Sequence, residues 1–246
     1  MITKNQVIAG FDRGAKTYTK AAEVQAEVAE TLSRYFADIS ARHILEIGCG
    51  TGLLTEHLAK AFPDADFCLT DISPSMIAEC RQHMTTLSRA TWVCMDGENP
   101  ETLPDYDLIV SSMTLHWFDE FEAGLHNLKL KLKPGGRLLF SILSENSFHE
   151  WQKICRDFDL PIATPRFPAM DEIKKRFPGF DWHVQKIKKI YPNAHAFLRT
   201  LKRLGAIAPR REYVKLATHK MRHLLRDVNH DIEITYEVVY GEYHAS

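Results

Sequence analysis

The sequence predicts an α/β fold built on a doubly wound, mostly parallel sheet. Short apolar runs recur at 43–47, 67–71, 91–95, 106–112 and 136–143, with helical segments between them. Glycines at alternate positions, Gly48, Gly50 and Gly52, follow the first run, and an apolar-periodic helix opens at Leu53. At 246 residues the chain is long enough for one large domain, 1–246, with a substantial core.

Residues 1–20 are polar with scattered apolar anchors, and 21–36 carry a helical pattern in Ala22, Val24, Val28, Leu32 and Phe36. Together 1–36 form an N-terminal helical segment expected to cover the site. The first strand ends in Glu46 and turns through Gly48-Cys49-Gly50-Thr51-Gly52. Such a turn lies at the carboxyl end of a strand, where open α/β sheets bind ligands. Dinucleotide sites use G-x-G-x-x-G with pyrophosphate on the helix N-terminus. Here the spacing is shorter and an acid precedes it, which repels pyrophosphate and suits a cationic ligand.

The second strand ends in Asp71, at the roughly 20-residue spacing where a ribose-binding acid is expected. Ser73 and Pro74 then cap a helix. The third strand ends in Asp96-Gly97, and the fourth, 106–112, leaves the sheet at Ser112 into a loop carrying His116 and Trp117. Lys133-Pro134-Gly135-Gly136 reads as a turn before the strand at 136–143. A helix follows at 145–158. Pro161, Pro165 and Pro168 mark 159–169 as a loop, and a short helix runs near 170–177. Residues 183–191 alternate basic and apolar, as an edge strand with Lys186 and Lys188 outward would. Two helices, 194–204 and 210–227, precede a closing strand at 233–241.

Five of these elements stand in a known order. Glu46 to Gly52 resembles the E/D-x-G-x-G-x-G motif of class I S-adenosylmethionine-dependent methyltransferases, and Asp71-Ile72-Ser73-Pro74-Ser75-Met76 resembles their second motif. The strand ending at Asp96, the loop after Ser112 and the Lys-Pro-Gly-Gly turn follow in the family's sequence. The resemblance implies a seven-stranded Rossmann-like methyltransferase sheet with an antiparallel last strand and a helical insertion before it. It also implies a cofactor, S-adenosylmethionine, in a core at 43–143. Glu46, Gly48, Gly50 and Gly52 would lie along its methionine part, and Asp71 would take the ribose hydroxyls. Ile72 and Met76 would flank the adenine and Asp96 would accept from its amino group, with Gly97 and Ser112 completing the pocket. No metal is implied.

A narrower resemblance runs through Phe11 to Tyr18, Gln25, Leu115-His116-Trp117, Leu198 to Ala206 and Thr235 to Gly241. These stretches are similar to the malonyl-acyl-carrier-protein O-methyltransferases of biotin synthesis, although many members have glutamine where His116 stands. The chemistry implied is transfer of a methyl group to the free carboxylate of a malonyl thioester. A carboxyl group of ordinary pKa, about 4, is already ionised at neutral pH, so no general base is required. In-line alignment and exclusion of water carry the catalysis. Arg199 is a candidate carboxylate clamp, since guanidinium grips bidentately, and equally a docking residue. Tyr18 either closes over the cofactor or anchors residues 1–20. His116 is either a substrate contact or a packing residue, and Trp117 walls the pocket.

Charge is unevenly spread. Residues 1–150 hold 13 Lys/Arg against 21 Asp/Glu, while 151–230 hold 18 against 7. A basic segment, taken as 144–230 with its inserted helices, suggests an anionic partner. An acidic acyl carrier protein bearing malonyl-phosphopantetheine fits, with Lys186, Lys188, Lys189, Lys202 and Arg203 docking it beside Arg199 as one surface. The final stretch, 231–246, supplies the last strand. Five cysteines without CxxC spacing read as reduced thiols in a cytoplasmic protein. No transmembrane run and no aromatic–basic platform for nucleic acid is visible. Competing readings are a methyltransferase of a small free acid or quinone precursor, and a non-catalytic cofactor-binding subunit.

Overall fold

The computed structural model describes residues 3–162, 164, 167–206 and 218–246. Seven strands form one sheet in the order β3-β2-β1-β4-β5-β7-β6. They are β1 (His43–Ile47), β2 (Asp66–Asp71), β3 (Ala90–Cys94), β4 (Tyr106–Ser112), β5 (Leu132–Leu143), β6 (Phe180–Tyr191) and β7 (Ile232–His244). The first five run parallel, and β7 is antiparallel to both β5 and β6. The expected seven-stranded α/β sheet with an antiparallel last strand is present. So is the insertion, as α8 (Ala194–Arg203) and α9 (Thr218–Asp227) between β6 and β7.

The central strands read as near-continuous apolar runs because both faces are covered. On one face Ile44, Leu108, Val110 and Leu139 join a cluster with α2 (Glu23–Ser33), α3 (Leu53–Ala61), α6 (His149–Asp157) and α8. On the other, Leu45, Ile47, Ile109, Leu138 and Phe140 pack with α5 (Phe121–Lys129) and α7 (Met170–Arg176). The strand order reverses between β1 and β4, so a crevice opens at their carboxyl ends.

Several boundaries differ from the sequence expectation. The helical pattern at 21–36 is not one helix: the chain breaks at Ala22, and residues 34–36 are a tight three-residue turn. Before the break runs α1 (Lys4–Ala21), started by a capping box in which Thr3 and Gln6 satisfy each other's backbone N–H. The Lys-Pro-Gly-Gly segment is a bulge inside β5 rather than a turn before it. Tyr106 pairs with Leu132 and Leu108 with Arg137, so Lys133 to Gly136 loop out opposite Asp107. The helix expected at 145–158 starts at His149, because Ser144 and Ser147 fold the preceding turn onto Glu237. α5 is the helical segment expected between the strands at 106–112 and 136–143. Residues 210–217 of the expected last helix, and Pro165 of the loop, lie outside the described residues.

Candidate active site

The crevice holds two joined cavities. The larger, about 930 Å³, lies over the carboxyl ends of β1, β2 and β4. Glu46, Gly48, Gly50, Asp71, Ile72, Met76, Asp96, Gly97 and Ser112 all line it. Gly52 does not; it starts α3 in the left-handed region with φ 98°. Gly50 is also left-handed, with φ 54°, and a Cβ there would meet no protein atom within 4 Å. Its bare backbone therefore leaves room for a ligand. At Gly97 the constraint is packing, since a Cβ would lie 2.5 Å from Ile47.

The acids of this cavity are buried and perturbed. Glu46 is 1 % exposed and accepts from the Thr55 hydroxyl at 2.7 Å. Burial pushes its carboxyl up to about 8, with the Asp71 charge adding to the rise. Asp71 accepts from the backbone N–H of Ser73 at 2.8 Å and of Gly50 at 2.9 Å. Burial outweighs those bonds and raises it to about 6. Two partly protonated acids beside an open glycine loop form a socket suited to a cation and a diol. Either ligand group stabilises the charged carboxylate.

α1 roofs this socket. Lys4 pairs with both Asp96 and Glu98, Asp12 accepts from the Ser73 hydroxyl at 2.6 Å, and the Thr19 hydroxyl donates to that of Thr51 at 2.9 Å. The three contacts reach the turns after β3, β2 and β1 in succession. On its other side α1 meets the end of α8 almost backbone to backbone. A Cβ on Gly10 would lie 2.5 Å from the Gly205 carbonyl oxygen, and the Thr17 hydroxyl donates to the Arg203 carbonyl at 2.9 Å. Lys4 carries no sequence motif, and although Asp12 falls in the Phe11-to-Tyr18 stretch, only the packed helix reveals what either side chain holds.

The second cavity, about 550 Å³, continues from the first. Phe11, Tyr18, Gln25, Met113 and Trp117 line both. Its further walls come from Leu143, Phe148, Phe167, Leu201, Leu204 and Tyr236. Among the described residues its polar lining is uncharged. Met113 sits at the junction with φ 55°, an unusual conformation held by its N–H to the Ser141 carbonyl at 2.9 Å. His116 is 8 % exposed, and burial lowers it to about 3, so the ring is neutral. Its Nδ1 accepts from the Leu143 N–H at 3.4 Å, which leaves the proton on Nε2.

Known proteins match this architecture. A family model described as a methyltransferase domain matches residues 45–138. A malonyl-acyl-carrier-protein O-methyltransferase of Magnetococcus marinus is 34% identical over 242 residues, 94% of this chain and 90% of that protein. The chain belongs to this family. The biotin biosynthesis bifunctional protein BioCD of Bordetella avium is 38% identical over 95% of this chain and 51% of its own length. Among solved structures, a putative methyltransferase from Bacillus halodurans superposes with a TM-score of 0.64 at 14% identity, covering 89% of this chain and 98% of that one. The N-methyltransferase NodS from Bradyrhizobium japonicum, in complex with S-adenosyl-L-homocysteine, gives 0.54 at 16% identity, over 93% and 98%.

The structure divides the basic residues expected to form one docking surface. Side chains alternate along a strand, and Ile187 is buried in the cluster that includes α8, so Lys186 and Lys188 project from the opposite face of β6. Lys186 pairs with Glu237 at 3.5 Å and Lys188 with Glu233 at 2.7 Å. Lys189 pairs with Glu27 at 3.5 Å. Arg199 is exposed on α8 with Nη2 3.2 Å from His195, and it lines neither cavity. Lys202 and Arg203 are exposed at the same helix end, next to Leu204 and Ala206 of the second cavity. The five cysteines are all free thiols. Among the described residues no helix is long and apolar enough to cross a membrane.

Proposed function

We propose that this chain transfers a methyl group from S-adenosylmethionine to the free carboxylate of a malonyl thioester carried on an acidic acyl carrier protein. The ester formed would prime pimeloyl synthesis for biotin in the cytoplasm. The observation that carries the reading is the joining of a charged cavity to an apolar one at Met113 and Trp117, in a member of this family.

The charged cavity fits the cofactor. Glu46 and the open Gly50 backbone suit its ammonium-bearing end, and Asp71 suits the ribose diol. Asp96 can accept from the adenine amino group once it is shared with Lys4. The bound cofactor supplies an electrophilic methyl on a cationic sulfur.

The chain's residues then do three things. Tyr18 and Trp117 wall the junction, and the Phe11 ring meets Trp117 edge-on at 5.3 Å. The apolar second cavity strips water from the incoming carboxylate and aligns it, which is proximity catalysis. Reactants of opposite charge become neutral as the methyl moves, so a weakly polar surrounding favours the transition state over the hydrated ions. No proton moves, and His116, neutral above about pH 4, is not asked to titrate.

Docking is assigned to the α8 end. Lys202 and Arg203 are exposed beside Leu204 and Ala206 of the second cavity, and both fit an acidic carrier better than the ion-paired lysines of β6. Arg199, on the same exposed helix surface, belongs with them.

The test is methyl transfer from labelled S-adenosylmethionine to malonyl carrier protein, malonyl coenzyme A and free malonate in parallel. The expected order is carrier thioester first, with the advantage shrinking as salt rises. Equal rates on all three acceptors would replace the carrier reading with that of a small-acid methyltransferase.

A further inference from the structure

Gln25 has no role in the cofactor motifs, yet it occupies a telling position. It projects from α2 into the junction and lines both cavities. Its amide oxygen is fully buried and has no hydrogen-bond partner among the described residues. A buried, unpaired polar atom is costly and calls for an explanation. With no described residue bonded to its oxygen, the amide can turn either its oxygen or its NH2 toward a ligand.

We propose that the Gln25 amide orients the acceptor carboxylate for methyl transfer, with the His116 Nε2–H as a second uncharged donor deeper in the apolar cavity. The inference rests on the malonyl-carboxylate reading above and names the groups that would hold that carboxylate.

The chemistry favours an amide at this point. One NH2 donor binds one carboxylate oxygen and leaves the other free to attack. A guanidinium binding both would tie up the lone pairs that must reach the methyl carbon. The carboxylate's counter-charge is then the cofactor sulfonium itself, and both charges vanish as the bond forms. The new bond joins carboxylate oxygen to methyl carbon, and the bond broken is methyl carbon to sulfur, whose electron pair stays on sulfur. His116 suits the second position for the same reason. Burial keeps it neutral, and the Leu143 N–H on Nδ1 directs its proton to the other nitrogen. His116→Gln keeps an uncharged donor and His116→Phe removes it.

The experiment measures methyl transfer to malonyl carrier protein at saturating cofactor, with cofactor affinity measured separately. Gln25→Leu should lower kcat/KM between about 10- and 150-fold, the range for a buried hydrogen bond to a charged group, with cofactor affinity unchanged. Gln25→Glu gives a signature that a packing role would not. Its carboxylate repels the acceptor when ionised and donates when protonated, so its rate relative to the unmutated protein should climb as pH falls. His116→Gln should keep most activity and His116→Phe should lose it.

Unchanged turnover in Gln25→Leu overturns the inference. So does a loss of cofactor affinity that accounts for the whole effect. If Gln25→Leu fails to fold, a flat pH ratio for Gln25→Glu overturns it. If the unmutated protein rejects malonyl carrier protein but methylates free malonate or another carboxylic acid, the proposed function falls and Gln25 is judged on that acid. If no carboxylate is methylated, both fall.

Discussion

The two cavities meet across a few residues, but they are built in opposite ways. The cofactor side carries Lys4, Glu46, Asp71 and Asp96 and is framed by backbone amides of strand-end turns. The acceptor side is walled mainly by aliphatic and aromatic side chains, from α1, α8, β5, β7 and the loops carrying Met113, Trp117, Phe148 and Phe167, with the Gln25 amide of α2 among them. One binds through fixed charge and bare backbone. The other works by shape and by excluding water. On the proposed function, recognition of the cationic cofactor falls to the strand-end turns, and the reacting anion lies where little competes with the sulfonium for it.

The sharpest way to break this division is at Gly50. Gly50→Val forces a branched side chain into a left-handed position and into ligand space. Cofactor affinity measured by calorimetry should fall by about 100-fold or more, with the fold retained. Unimpaired binding would remove the glycine loop from the cofactor site.

Filling the other compartment should give the complementary result. Leu201→Trp adds bulk to the acceptor cavity without touching the charged one. Transfer should drop about 10- to 100-fold, in keeping with the cost of misplacing an acceptor, while cofactor affinity stays within about twofold. A parallel loss of cofactor binding would mean that the two cavities act as one.

Legibility in the sequence follows the same line. Glu46, Gly50, Asp71 and Asp96 sit at strand ends or in the turns that follow, where a handful of contiguous residues makes the whole feature, so their residue types and spacing announce them. The acceptor cavity has no such local signature. Phe148, Leu201 and Tyr236 are ordinary apolar residues more than 30 positions apart, brought together only by packing. The sheet was readable because apolar strands alternate with helices. The length of α1 was not, because residues 1–20 carry only scattered apolar anchors. The basic strand β6 announced its charge, but the acids opposite it on β7 and α2 became visible only through register and packing.

Titration separates the compartments further. Without cofactor, Glu46 holds a proton below about pH 8 and Asp71 below about pH 6. A cationic ligand favours the ionised forms, so its binding releases protons and tightens as pH rises. Affinity should therefore increase from pH 6 to 8, by up to about tenfold per unit for each proton released, and level off above 8. The acceptor side adds no titration there, since His116 is lowered to about 3. Calorimetry in buffers of different ionisation enthalpy counts the protons. A pH-independent affinity would contradict the assignment of Glu46 to a cationic group.

The smallest expected effect is at the roof. Lys4→Met removes the ion pairs that hold the start of α1 to Asp96 and Glu98. Because Lys4 is partly exposed, cofactor affinity should change by only a few-fold, more at low salt than at high. A hundredfold loss would make Lys4 a principal cofactor ligand.

The central claim is that a carboxylate in the apolar cavity takes a methyl group from a cofactor in the charged one. Intact-mass analysis of malonyl carrier protein after incubation with this protein and S-adenosylmethionine tests it directly. The account predicts the gain of one methyl group, located on the malonyl carboxyl by fragmentation and absent when the carrier bears an acyl chain without a free acid. No gain, or equal gain on the carrier lacking the acid, would contradict it.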